Sequence, residues 1–369
     1  MTKTGQKRLK ILELVIAGSI SLAGAGEKMG ISYRQAIRIM KKYKTKGDES
    51  LNHGLIGKRS NNKKDGNLRL TVIEKYKVRY PDFGPTLASE KLYEEFGIEV
   101  NHETLRLWLI EEGIWLMKRE RAKHRRKRSR KECFGEMIQI DGSFHPWFED
   151  NRKDCLMEFV DDATGKTLAL FDTGETTYIS LKVLYLWIEK YGVPESIYSD
   201  KKTVFYTERE PTLAEQLQGI EPMTEFGRVC NKLGIKMIYA NSAQAKGRVE
   251  RKHGVQQDRL VKELRLKGIK DIEKANKFLL EEYLNKHNNK FSKPASKDED
   301  MHVKLLPNQD LRKFICFEIV RVVDNSFVVR SNNHYYQLEK KCAKYVSPKN
   351  KVYIQNWLDG SIHIFYKDR

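Results

Sequence analysis

Apolar residues recur at helical spacing through residues 9–17 and again through 21–44. In the second stretch Ala25 and Gly26 permit close helix packing, and Gly30 suits the left-handed turn that ends a helix. Ser32 then opens a new helix, with Gln35 three residues on in capping-box spacing. On that helix Ala36, Ile37 and Met40 are expected to face the core. Arg34, Arg38 and Lys42, four residues apart, line the other side. Helix, glycine turn, helix is the helix-turn-helix pattern, whose second helix enters the DNA major groove. We assign it to residues 1–56. A charged, solvated helix in an ordinary bundle is the alternative reading of the same residues. The logic repeats over 68–117, where three amphipathic segments are separated by Pro81, by Gly84 and Pro85, and by Gly97. Here Thr86 and Asn101 are the expected N-caps, Leu105, Trp108 and Leu109 the core, and His102 and Arg106 the groove-facing groups.

From residue 135 the period shortens. Strand-like runs at 135–143, 155–176 (two strands about a turn at 163–165), 195–200 and 236–242 alternate with helical runs at 177–192, 223–234 and 245–268. The order is strand, strand, strand, helix, strand, helix, strand, helix. It predicts an α/β core of the ribonuclease-H-like kind over 135–286, a mixed sheet flanked by helices. A polar link at 287–300 leads to five short strands in 312–369, with turn signals at Asp324-Asn325, Asn332-Asn333 and Asp359-Gly360. That pattern predicts a small β-barrel.

Charge sharpens this picture. The chain of 369 residues carries 69 Lys and Arg against 50 acidic residues, a net +19, and a polyanionic partner is the natural counterpart. Ten of those cations fall in 118–131, within the basic linker 118–134, among them Arg125, Arg126, Lys127 and Arg128. Such a run cannot enter a core, and neutralising phosphates is its expected use. Five widely spaced cysteines form no C-x-x-C motif, which disfavours a zinc ribbon and fits a reducing compartment. No run of about 18 apolar residues predicts a membrane span. Lys3, Lys7 and Lys10 before an apolar stretch imitate a secretion signal, but Glu13 interrupts it.

Three carboxylates stand out. Asp141 and Asp200 are expected to end short strands at neighbouring positions in the sheet, and Glu250 opens a long basic helix. Carboxylate oxygens at such places suit hard divalent ions, Mg²⁺ or Mn²⁺, with room for water and phosphate. Asp161, Asp162, Asp172 and Glu175 are local rivals, the first two expected to start the turn between strands. Around Glu250, Lys246, Arg248, Arg251 and Lys252 would border a DNA path, or form a solvated basic face.

The segments IQIDGSFHPWFED, FVDDATGKTLALF, YGVPESIYSDKKTVF and NSAQAKGRVERKHGVQQDRLVKELR resemble the DDE transposases of bacterial insertion sequences, most closely the ISNCY group, and more distantly retroviral integrases. The A-K-G-R-V-E-R segment after S-D is the specific part. The resemblance implies Asp141, Asp200 and Glu250 as catalytic metal ligands for two ions, Asp141 bridging both. It implies double-stranded DNA partners, namely transposon ends and target DNA. It also implies metal-dependent end cleavage and strand transfer, assembly on DNA as at least a dimer, and residence with the nucleoid in the bacterial cytoplasm. The His-His-Cys-Cys zinc site of integrases has no counterpart, and residues 201–222 are read as an inserted loop. A non-enzymatic DNA-binding protein, either a regulator or a decayed transposase, is the alternative. A metal-dependent nuclease would use the same carboxylates.

Overall fold

Thr2, Ser21 and Ser32 each turn a side-chain oxygen back onto a backbone N–H and so start three helices, α1 (Lys3–Ile16), α2 (Leu22–Met29) and α3 (Tyr33–Lys46). The computed structural model describes residues 2–52, 64–116, 128–219, 221–240, 247–306 and 308–367. It divides the chain into two units, Met1–Arg119 and Glu120–Arg369. Gly30 closes α2 at φ 69°, and a Cβ on Gly26 would stand 3.1 Å from the Ile31 carbonyl, so the turn lies close on the helix before it. Leu12, Ile39, Met40 and Leu51 form the core, with Ala25 and Ala36 buried beside them. One expectation fails: Ile37 is 41% exposed and Ile39 takes its place. Positions 36, 39, 40 and 43 make one stripe at helical spacing, and 37 sits a step of about 100° off it. Arg34, Arg38 and Lys42 are exposed, as their spacing requires.

A second trio follows, α4 (Gly66–Arg79), α5 (Pro85–Phe96) and α6 (His102–Glu111). Leu105 and Leu109 are buried and Trp108 is half-buried. Asn101 caps α6 by accepting from Glu103 N at 2.9 Å. Thr86, however, lies inside α5, because Pro85 has no N–H to satisfy and starts the helix itself, capped by Gly84.

The second unit is built on β1 (Ile138–His145), β2 (Asp154–Asp161), β3 (Thr167–Asp172), α7 (Thr177–Tyr191), β4 (Ser196–Ser199), α8 (Leu213–Gln218), α9 (Glu225–Lys232), β5 (Lys236–Tyr239), α10 (Gly247–Leu266), α11 (Ile272–Phe278) and α12 (Leu284–Phe291). The sheet order is β3-β2-β1-β4-β5, antiparallel through the first three strands and parallel from β1 to β5. Side chains alternate across it. Ile138, Ile140, Phe159 and Leu170 pack under α7 and α9, and Leu156, Ala169 and Phe171 pack under α10 and α11. This is the mixed, helix-flanked sheet expected from the pattern. Its additions are α11 and α12 after the long helix, and α8, within residues 201–222, where Thr212 and Glu215 form a capping box.

Two boundaries differ from expectation. Asp141 does not end β1, because β2 pairs with that strand as far as His145, whereas the ladder with β4 stops at Gln139 and Tyr198. The stretch 287–300 is not a free link. Helix α12 runs on to Phe291, and the backbone beyond it bonds to the core from Lys293 N to Thr164 O at 2.8 Å and from Met301 N to Phe134 O at 2.8 Å.

The tail holds the five expected strands, β6 (Cys316–Val322), β7 (Val328–Ser331), β8 (His334–Gln337), β9 (Lys351–Trp357) and β10 (Ile362–Phe365). They do not close into the barrel their spacing predicts. Strands β10, β9 and β6 form one sheet, and β7 and β8, four residues each, pair only with each other. Val323, Val329, Val346, Val352 and Ile354 form their common core. Among the described residues no helix is long and apolar enough to cross a membrane.

Candidate active site

Strands β1 and β4 run parallel, with Ile138 opposite Ile197 and Gln139 opposite Tyr198, and Asp141 and Asp200 each stand two residues beyond the last of these pairs. Both carboxylates turn toward one cation, the Lys202 ammonium, at 3.6 Å from Asp141 Oδ1 and 3.7 Å from Asp200 Oδ2. A third carboxylate, Glu175 in the turn between β3 and α7, is closest of all, with Oε2 2.5 Å from the same Nζ. Burial works against the lysine's charge, but the hydrogen bond to Glu175 and the fields of Asp141 and Asp200 outweigh it and raise its pKa. Burial raises the Glu175 pKa; Lys202 opposes that shift, and Asp141 and Asp200 add to it.

Helix α10 lies along the same face of β1. Gln139 Oε1 accepts from Val249 N at 3.4 Å, and Gln257 Nε2 donates to Ser143 Oγ at 3.0 Å, so Asp141 stands between the two anchor points. Glu250 is exposed, seven residues before Gln257 and hence on the same side of the helix. Among the described residues Glu250 forms no ion pair with Lys202, the cation that the other carboxylates share, and no group of three or more His, Cys, Asp or Glu forms a ready-made metal cage. The acidic groups gather instead on Lys202, whose ammonium stands in for a cation among oxygen donors. Oxygen donors alone fit a hard divalent ion, so the residues present suit Mg²⁺ or Mn²⁺.

Opposite Asp141 across the β1–β2 ladder is Glu158, buried, with His253 Nε2 of α10 at 3.2 Å from its Oε2. Burial pushes this carboxyl up to about 8; Gln256 and Lys252 oppose the shift and Asp141 adds to it. Nothing in the sequence marks Glu158, since a charge mid-strand reads as a solvent-facing residue until the covering helix is known.

The expected cations fare differently. Arg34, Arg38, Lys42 and Arg251 are exposed. Arg106 is held by Glu103 at 2.6 Å. Arg128 pairs with the buried Asp162 at 2.5 Å, and Arg248 pairs with the same carboxylate. Lys252 is half-buried, its pKa pushed down to about 8 by burial, against the opposing charge of Glu158. Arg125, Arg126, Lys127 and Lys246 lie outside the described residues. Asp161 does close the β2–β3 turn, accepting from Thr164 N at 2.6 Å and Thr164 Oγ1 at 2.7 Å.

A family model for a helix-turn-helix domain matches residues 7–60. Along its whole length the chain is 35% identical to the putative transposase y4bF of Sinorhizobium fredii (strain NBRC 101917 / NGR234), covering 80% of that protein. It is 28% identical to the transposase for insertion sequence IS1202 of Streptococcus pneumoniae, over 98% of this chain and 84% of that one. Among solved structures, the HTLV-2 integrase catalytic core in complex with magnesium aligns at 21% identity over 40% of this chain and 85% of that one, with a TM-score of 0.31, too low to bear on the site. Relatedness end to end at the level of the first of these settles the grouping: the chain belongs to the transposase family.

Proposed function

We propose that this protein is a DDE-type polynucleotidyl transferase that cuts the ends of its own insertion sequence and joins them to target DNA. The observation that carries the reading is the convergence of Asp141 and Asp200, from the adjacent parallel strands β1 and β4, on one cation, with Glu250 on the helix alongside. On this reading the core is ribonuclease-H-like and residues 1–56 and 68–117 are two modules that recognise terminal repeats. Asp141, Asp200 and Glu250 would hold two divalent ions, Mg²⁺ or Mn²⁺. Bound there, such a pair supplies activation of the attacking oxygen and stabilisation of the leaving one. Water adds to phosphorus at the element's end as the bond to the 3′-oxygen breaks, which frees a 3′-hydroxyl. That hydroxyl attacks a target phosphodiester in turn, one ester replacing another, so no nucleotide cofactor is consumed. Two ends must be joined together, which calls for at least a dimer on DNA.

The test is cleavage of a labelled repeat end and joining of a pre-cut end to plasmid, in Mg²⁺ or Mn²⁺ and in EDTA. Asp141→Asn, Asp200→Asn and Glu250→Gln should each abolish both reactions while DNA binding persists, because phosphate contacts come from Lys and Arg elsewhere. Asp150→Asn, an exposed carboxylate paired with its neighbour Arg152, should react as wild type. Metal-dependent joining retained by Glu250→Gln would remove Glu250 from the triad.

A further inference from the structure

We propose that Glu175 is a fourth carboxylate of this cation site, and that the Lys202 ammonium holds the place which a divalent ion takes over. The inference rests on the catalytic reading above. Three observations carry it. Glu175 is closer to Lys202 Nζ than either aspartate is. Its side chain is only 6% exposed, and its second oxygen, Oε1, is buried with no hydrogen-bond donor, so one acceptor of this carboxylate is left unsatisfied.

The third observation is Gly142. Successive strand residues point to opposite faces, so a side chain at 142 would project away from the face that carries Asp141. A Cβ there would stand 2.8 Å from Glu175 Oε2 and 2.9 Å from Cys155 Sγ. Glycine therefore leaves the room that the Glu175 carboxylate occupies beside β1 while it binds Lys202. Its backbone is not in the left-handed region, so space rather than conformation calls for it. Charge agrees. Among the described residues the ion pairs of three carboxylates, Asp141, Asp200 and Glu175, meet at the Lys202 ammonium, and together with Glu250 these carboxylates match the charge of two divalent ions.

The probe is Mn²⁺ alone, titrated into the full chain without DNA, with free Mn²⁺ read by electron paramagnetic resonance and thermal melting followed with and without the ion. Glu175→Gln should weaken Mn²⁺ binding by about tenfold or more, since removing a charged oxygen ligand lowers affinity. It should also shrink the stabilisation that bound ion confers. Gly142→Ala keeps every carboxylate but crowds that of Glu175 out of its place, and should weaken binding in the same direction. Lys202→Ala removes the competing cation and should tighten binding several-fold. Wild-type affinity in Glu175→Gln, with binding abolished in Asp141→Asn, would overturn the role of Glu175 and leave the catalytic reading standing. Wild-type affinity in Asp141→Asn and Asp200→Asn as well would remove that reading too. If Glu175→Gln does not fold, unchanged or weaker Mn²⁺ binding in Lys202→Ala overturns the proposal by itself.

Discussion

Asp161 and Asp162 are neighbours in sequence with different work to do. Asp161 folds its own turn, the local hydrogen bonding for which aspartate is favoured there. Asp162 is fully buried and gathers partners from far along the chain: Arg128, Arg248, the Gln139 amide at 2.6 Å and Lys131 N at 2.8 Å. No local pattern could show those contacts, and the same holds for Glu175, whose partner Lys202 lies 27 residues further on. Asp141 and Asp200 were legible because each follows a short apolar run. His287 offers a test of burial at this scale. It is 3% exposed on α12, with Lys252 Nζ 3.3 Å from its Nε2. Burial, then the charges of Lys252 and Arg259, push its pKa down to about 3. A depressed histidine pKa means the unfolded chain takes up a proton that the fold refuses. Its stabilising contribution is therefore complete above about pH 6.5 and is lost as pH falls from there toward about 3. Between pH 7.5 and 5.5 wild type should lose about 1.4 kcal/mol more stability than His287→Gln. Denaturant unfolding of both proteins at the two pH values checks this, and equal losses would show that His287 takes up a proton without leaving the fold.

At the scale of elements, α3 has the two faces that its sequence requires, a buried stripe through Ala36, Ile39 and Met40 and an exposed one through Arg34, Arg38 and Lys42. If α3 reads terminal repeats, Arg34→Ala with Arg38→Ala should cost about 1–3 kcal/mol for each base edge no longer read. Stability should move by less than about 0.5 kcal/mol, since both side chains are exposed and lie away from the core. Competition binding of repeat-end against scrambled DNA, beside a thermal melt, measures both. Undiminished discrimination would assign the reading to another element. Helix ends were legible where glycine or an Asx or Ser cap sets them, as at Gly30, Ser32 and Asn101. The hairpin at Asn332-Asn333 was legible too, both residues standing at positive φ as a two-residue hairpin turn demands. Sheet closure was not, because strand spacing says nothing of which edges find a partner; β7 and β8 are too short to reach beyond each other. Nor was the reach of β1 beyond Asp141, which the pairing partner β2 dictates.

For the molecule as a whole the governing quantity is the net charge of +19, and its densest part is the run 118–131. Of that run the structure describes residues 128–131. At its C-terminal end Arg128 pairs with Asp162, Arg130 NH1 donates to the Ala163 carbonyl at 2.9 Å, and Lys131 Nζ binds Glu136 at 2.8 Å. Those three cations are committed to the second unit, so deleting the whole run would disturb the core and confuse the result. The seven Lys and Arg of 118–127 are the ones to change. Each phosphate neutralised releases condensed counterions, which makes log K fall against log salt with a slope of about −0.9 per neutralised phosphate on duplex DNA. If all seven reach phosphates, replacing them with Ser should flatten the slope by about 6. Preference for repeat ends should survive, because phosphate contacts position a protein without reading bases. Titrations on repeat-end and scrambled duplexes across a salt series measure slope and preference in one experiment. An unchanged slope would make the segment a connector and place the phosphate contacts on the helical modules and α10.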